Sequence, residues 1–230
     1  VVEARDRVGG RLLSEPLAGH PGAWIDQGGQ WLGPTQDHAY ALAARLGLTT
    51  MPTHVIGDKL LVFNRKASRY QGRLPTLPPV ALADVGQAQW RFDRLAATVD
   101  LAHPWRTPRA HDLDAQTFET WIRHTARTKS GREFFRVAAE AVFATEAANI
   151  SLLHALFYAR SGGRLAALLS SDGGAQQDRV IGGMQQLPQG LSDLLGDGVL
   201  LDFPVESIRQ RDHGVADAHR VLREETRLAE

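Results

Sequence analysis

From Asp26 to Gln36 the chain reads Asp-Gln-Gly-Gly-Gln-Trp-Leu-Gly-Pro-Thr-Gln, placing three glycines and a proline within eleven residues. Proline has no amide hydrogen for a helix or a ladder, and glycine suits places where other groups press close to the backbone. The stretch therefore reads as a loop of close backbone approach. It is fed by the short β-type run Ala23–Asp26. A second glycine-bearing turn lies near residue 1, where Val1-Val2-Glu3 reads as the end of a strand and the polar run Ala4–Arg11 contains Gly9-Gly10.

Between and beyond these turns the pattern changes several times. Ala39, Ala41, Leu42, Leu46 and Leu48 follow a helical period, with Gly47 near the end as a C-cap candidate. Val55 to Tyr70 is β-type, with Gly57-Asp58 turn-like and Val62–Arg65 suited to one arm of a hairpin. The prolines of Leu74–Pro79 predict an extended connector, and helical spacing then runs to about Arg160. Within it, Asp114–Ile122 resembles a capped helix start, and Phe134, Phe135, Val137, Ala138, Val142 and Phe143 form a stripe expected to be core. Ser161-Gly162-Gly163 and Gly173-Gly174 break the helices. Val180-Ile181 predicts a strand, Leu187–Leu195 a helix closed by Gly196, and Val199–Leu201 and Val205–Ile208 two strands split at Pro204. The charge-rich Ala216–Glu230 reads as a solvated helix or frayed tail.

Composition narrows the function. A hydrophobic fraction of 43% and a charged fraction of 23% over 230 residues are those of an ordinary globular chain. Net charge is zero, so no overall field draws in nucleic acid or an acidic membrane. Without cysteine there is no disulfide or thiolate metal site in these residues, and the cytoplasm is the default compartment. No apolar run is long enough for a membrane segment, and no signal-peptide pattern is present. His20, His38, His54, His111, His124 and His154 show no metal-ligand spacing, so no metal is expected. The Gly-x-Ser-x-Gly of a serine hydrolase does not occur.

The two turns carry the chemistry. A dinucleotide-binding βαβ unit ends its second strand in an acid that accepts hydrogen bonds from a ribose diol, and Glu3 stands at such an end. Gly9 and Gly10 can bring the backbone within reach of a pyrophosphate, for which Arg5 and Arg11 offer permanent charge. Gly28-Gly29 would let other groups come close to the backbone, with Trp31 beside them.

Glu3–Arg11 matches Glu-Ala-Arg-x-Arg-x-Gly-Gly-Arg, and Asp26–Gln36 matches Asp-x-Gly-Gly-x-Trp/Tyr-x-Gly-Pro-Thr-Gln. With Gly173–Leu187 and Pro204–Ile208 following in order, the chain from Val1 to about Val215 resembles the flavin-dependent amine oxidases, in their monoamine and putrescine oxidase branch. The resemblance implies α/β plus α+β architecture: a Rossmann-like (GR2-type) FAD-binding domain interleaved with a mixed sheet-and-helix substrate domain. The expected divisions are 1–55 for the first FAD-binding part, 56–178 for a mostly helical substrate-domain segment, 179–215 for the second FAD-binding part and 216–230 for an atypical charged tail. It implies FAD as cofactor, held by Glu3, Arg5, Gly10, Arg11, Gly28, Gly29, Gln30, Trp31 and Val205, with Gln176 facing the substrate. Gln176 as a surface turn residue is the alternative.

The implied reaction is oxidative deamination of a primary amine by O2, giving aldehyde or imine, ammonia and hydrogen peroxide. No residue here is assigned as catalytic, and a homodimer is a candidate assembly. An amino-acid or polyamine oxidase of the same fold stays open. So does a non-catalytic remnant, since the Gly-x-Gly-x-x-Gly turn and the family's second half are not found and a fragment incomplete at both ends is expected.

Overall fold

The computed structural model describes residues 1–63, 66–72, 77–209 and 217–219. Parts of three expected segments, the hairpin arm Val62–Arg65, the connector Leu74–Pro79 and the tail Ala216–Glu230, lie outside them. The chain divides into two compact units. The first holds Val1–Gln30, Ala41–Thr49 and the described residues from Val180 on; the second holds Trp31–Tyr40 and Thr50–Arg179.

In the first unit, Val1–Glu3 runs parallel to the segment around Leu200. Val2 and Leu200 form a parallel bridge, with Glu3 N–H donating to Leu200 O at 2.9 Å and Leu200 N–H to Val1 O at 2.9 Å. Strands β1 (Ser14–Pro16) and β2 (Trp24–Asp26) pair antiparallel, Ser14 opposite Asp26. Helix α1 (Asp37–Arg45) starts in the second unit and ends in the first. Helix α8 (Gln186–Leu195) lies over its end, where a β-carbon on Gly190 would be 3.0 Å from Leu46 Cδ1.

The strands expected at Val199–Leu201 and Val205–Ile208 are shorter than their composition predicts. Only the Leu200 bridge forms in the first, and β7 (Ser207–Arg209) starts two residues past Val205. Pro204 lacks a ladder donor and Asp202 turns the chain at φ 51, which together interrupt pairing. Asp217–His219, expected as helix or tail, forms β8 antiparallel to β7.

The second unit is mainly helical: α2 (Pro79–Ala96), α3 (Ala110–Asp114), α4 (Phe118–Thr125), α5 (Lys129–Phe143), α6 (Leu152–Ser161) and α7 (Leu165–Leu168). Strands β4 (Lys59–Phe63) and β5 (Lys66–Tyr70) form an antiparallel hairpin. Strand β3 (Thr50–Pro52), which the sequence pattern did not reveal, pairs with β6 (Asp178–Val180). The core gathers Phe92, Phe118, Trp121, Ile122, Phe135 and Leu156. Phe92 meets Phe118 at 5.2 Å and Trp121 edge-on at 5.3 Å, a geometry that aromatic quadrupoles favour. Of the expected stripe, Phe135 and Ala138 are buried, but Val137 is 49% exposed, because α5 turns that position away from its neighbours.

Polar contacts fix the helix ends. Thr117, Thr128 and Ser151 each accept a backbone N–H three residues on, capping α4, α5 and α6. The starts of α4 and α6 are further joined by a bridge, Phe118 N–H to Ile150 O at 3.0 Å and Leu152 N–H to Gln116 O at 2.8 Å. Asp84 on α2, 7% exposed, accepts from Thr128 N, Thr128 Oγ1, Arg127 N and Gln87 Nε2. Burial works to raise its carboxyl, but these donors outweigh it and hold Asp84 below the usual carboxylate range.

Candidate functional site

In the first unit the two glycine turns lie back to back. Gly29 N–H donates to Arg11 O at 3.2 Å and Gln27 N–H to Leu13 O at 2.8 Å. A β-carbon on Gly28 would collide with the Arg11 carbonyl, so glycine is required there by the neighbouring turn itself. Gly10 differs: its φ of 50° is the left-handed region, and nothing lies within 4 Å of its β-carbon position, so the outer face of that turn is open.

The Glu3 carboxylate is fixed by Arg5 N–H donating to Oε1 at 2.9 Å. The Arg5 guanidinium reaches Gly10 O at 3.4 Å, and Arg7 donates to Gly10 O at 3.1 Å and Leu12 O at 3.2 Å. Half-buried Arg7 thus shapes the turn, a role its place in a polar run did not signal. Arg11 is exposed, and its guanidinium has no hydrogen-bond or ionic partner among the described residues. Behind the turns stands a polar lock that the sequence reading passed over. Ser14 Oγ donates to Asp26 Oδ1 at 2.6 Å, Met184 N–H donates to the same oxygen at 3.0 Å, and Ser14 N–H donates to Gln185 Oε1 at 2.9 Å. Asp26 heads its motif, which was the one available signal; Ser14 and Gln185 are 171 residues apart and gave none.

A dinucleotide needs an acceptor for its ribose, cationic or N–H donors for its diphosphate, and backbone that can be approached closely. The fixed Glu3 carboxylate, the unpartnered Arg11 guanidinium and the open face at Gly10 meet those needs. Val205, 37% exposed, lies in irregular chain rather than in the strand expected there.

In the second unit Trp31 is 38% exposed while Leu32 beside it is buried. Leu32 and Asp178 exchange backbone hydrogen bonds at 2.8 and 2.9 Å. Gln176 is half-buried, its N–H donating to Ser170 O at 3.1 Å. Ser170 lines a cavity of about 710 Å³, with Phe134, Leu165, Leu169, Lys59 and Gln89 among its walls; Gln176 is not a wall residue. The Trp31 loop and the Gln176 turn are therefore brought together within this unit, as Arg11 and Gly28-Gly29 are within the first. Among the described residues no group of three or more His, Asp or Glu could hold a metal ion, and no helix is long and apolar enough to cross a membrane.

Residues 1–221 match the family described as flavin-containing amine oxidoreductase. AofH of Mycobacterium tuberculosis, assigned to the flavin-containing monoamine oxidases, is 41% identical over 215 residues, covering 94% of this chain and 47% of AofH. An L-amino acid dehydrogenase of Synechocystis is 35% identical, with 94% of this chain and 46% of the relative covered. Cyclohexylamine oxidase from Brevibacterium oxydans superposes with a TM-score of 0.86 at 30% identity, covering 96% of this chain and 49% of that one. Putrescine oxidase bound to putrescine superposes at 0.82 and 30% identity, covering 94% and 48%. The chain spans about half the length of the relatives it matches.

Proposed function

The chain belongs to the flavin-containing amine oxidoreductase family, and from that premise we propose that it binds FAD and takes part in the oxidative deamination of a primary monoamine or diamine. What carries the reading is the back-to-back packing of the two glycine-bearing turns, Glu3–Arg11 and Asp26–Gln30, with the outer face at Gly10 left open.

In this scheme Glu3 accepts hydrogen bonds from the ribose diol, while Arg11 and the backbone at Gly10 hold the diphosphate. Arg5 keeps the turn in shape. Gly28, Gly29 and Gln30 offer backbone to the ring edge, and Trp31 covers apolar surface beside it. Val205 contributes backbone near the adenine. We assign the cavity by Phe134 and Leu169 to the amine, with Gln176 orienting the turn that walls it. FAD, if bound, would supply the oxidant for the amine, with O2 as terminal acceptor giving hydrogen peroxide. The wall mixes apolar side chains with Lys59, Arg164 and Asp172, a net positive lining that favours the neutral over the protonated amine. In domain terms we assign 1–55 and 179–215 to FAD binding and 56–178 to substrate.

The test is the visible spectrum of the full chain after incubation with FAD and gel filtration, followed by peroxide detection with an added amine. Retained flavin absorbance and amine-dependent peroxide are expected; a colourless protein that ignores FAD overturns the proposal. Glu3→Gln should weaken retention about 10- to 100-fold, the worth of a hydrogen bond to a charged group. The similarity to an L-amino acid dehydrogenase favours a second reading, an amino acid as substrate. Turnover of an amino acid in preference to its decarboxylated amine would select it.

A further inference from the structure

We propose that Tyr40 is a positioning residue, which through Asp178 keeps the Trp31–Gly33 loop in register against the Gln176–Asp178 segment. This rests on the reading just given for Trp31 and Gln176, though the clasp itself can be tested without it.

Tyr40 lies on α1 and Asp178 opens β6, 138 residues later; Tyr40 OH donates to Asp178 Oδ2 at 2.6 Å. Gln177 Nε2 donates to the same oxygen at 3.0 Å. The backbone of this segment is held on both sides, since Thr53 N–H donates to Gln177 O at 2.7 Å and Asp178 exchanges both its bonds with Leu32. One residue on from Leu32, a β-carbon on Gly33 would be 2.6 Å from Ala175 Cα and 2.6 Å from Gly174 O. The loop is thus seated on the chain that leads directly into Gln176, with no slack at Gly33. A single ladder pair is weak in register, and a slip by one residue would turn Gln176 to the opposite face. The side-chain clasp supplies what so short a ladder lacks.

Burial, with the hydrogen bond and the charge of Asp178, pushes the Tyr40 phenol up to about 12, so the donor proton stays in place through neutral and mildly alkaline solution.

The experiment is hydrogen exchange on the full chain, comparing Tyr40→Phe with wild type. The Leu32 and Asp178 amides should exchange about tenfold faster, the loss of one part-buried hydrogen bond, with amides inside α5 and α6 unchanged. Asp178→Asn, which keeps an acceptor oxygen, should retain most of the protection that Asp178→Ala loses. Unchanged exchange at Leu32 and Asp178, or equal acceleration throughout the unit, overturns the proposal. With FAD and amine present, Tyr40→Phe should raise KM several-fold with kcat little altered; faster exchange with an unchanged KM overturns the link to Gln176. A wild-type chain that takes up no flavin defeats the functional reading alone, and the exchange rates still decide the clasp.

Discussion

Asp84 is held by hydrogen bonds rather than by a cation, which makes it a sensitive point for acid. Its folded-state carboxyl titrates below the unfolded one, so its contribution to stability is complete above the unfolded value of about 4 and is lost as pH falls through the folded value. Asp84→Asn should cost about 1–3 kcal/mol at pH 7 by urea unfolding, with the gap to wild type closing as pH falls to about 3. The glycines give a sharper contrast. Gly10→Ala should cost about 1–2 kcal/mol, the penalty of a left-handed alanine, because nothing else occupies its space. Gly28→Ala should cost more, since the Arg11 carbonyl must move. If FAD lies over Gly10, that mild substitution should nonetheless weaken FAD binding strongly in equilibrium dialysis. The need for glycine at Gly28 was legible from its motif. Asp84, Ser14, Gln185 and Tyr40 were not, because their partners lie far along the chain and polar pairs leave no period.

Helix caps lend themselves to a graded test. Thr128 Oγ1 both accepts from Gly131 N at 2.9 Å and donates to Asp84 at 2.7 Å, whereas Thr117 caps α4 and otherwise meets only Thr120 Oγ1. Thr128→Ala should therefore cost about 2 kcal/mol and Thr117→Ala about 1 kcal/mol in matched urea titrations. Elements with long periodic faces were readable in advance: α8 begins one residue before the predicted Leu187–Leu195, α1 ends three residues short of Leu48, and α5 carries the predicted stripe Phe134–Phe143 on a helix that begins five residues earlier. The strands β1 and β3 were not, for three residues cannot establish an alternation. Val205 was misplaced for a related reason, since local β-type composition cannot reveal the turn imposed by Asp202 and Pro204.

At the scale of the molecule, the two units differ in how much they bury. Among the described residues the first unit's buried apolar side chains are Ala43, Val180, Met184 and Leu187, while the aromatic core belongs wholly to the second. The first unit should unfold at the lower temperature in calorimetry. FAD at a hundredfold excess over its Kd should stabilise that transition by about 2.7 kcal/mol and leave the helical one in place. The matched share of the relatives, about half, was also foreseeable from which motifs were present. The pairing of Val1 with residues near 200 has a further consequence for biosynthesis. At about 5–20 residues per second, Val1 is made roughly 10–40 s before Leu200. The bridge between Val2 and Leu200 therefore forms late, after the helical segment, whose contacts are closer in sequence, has had time to condense.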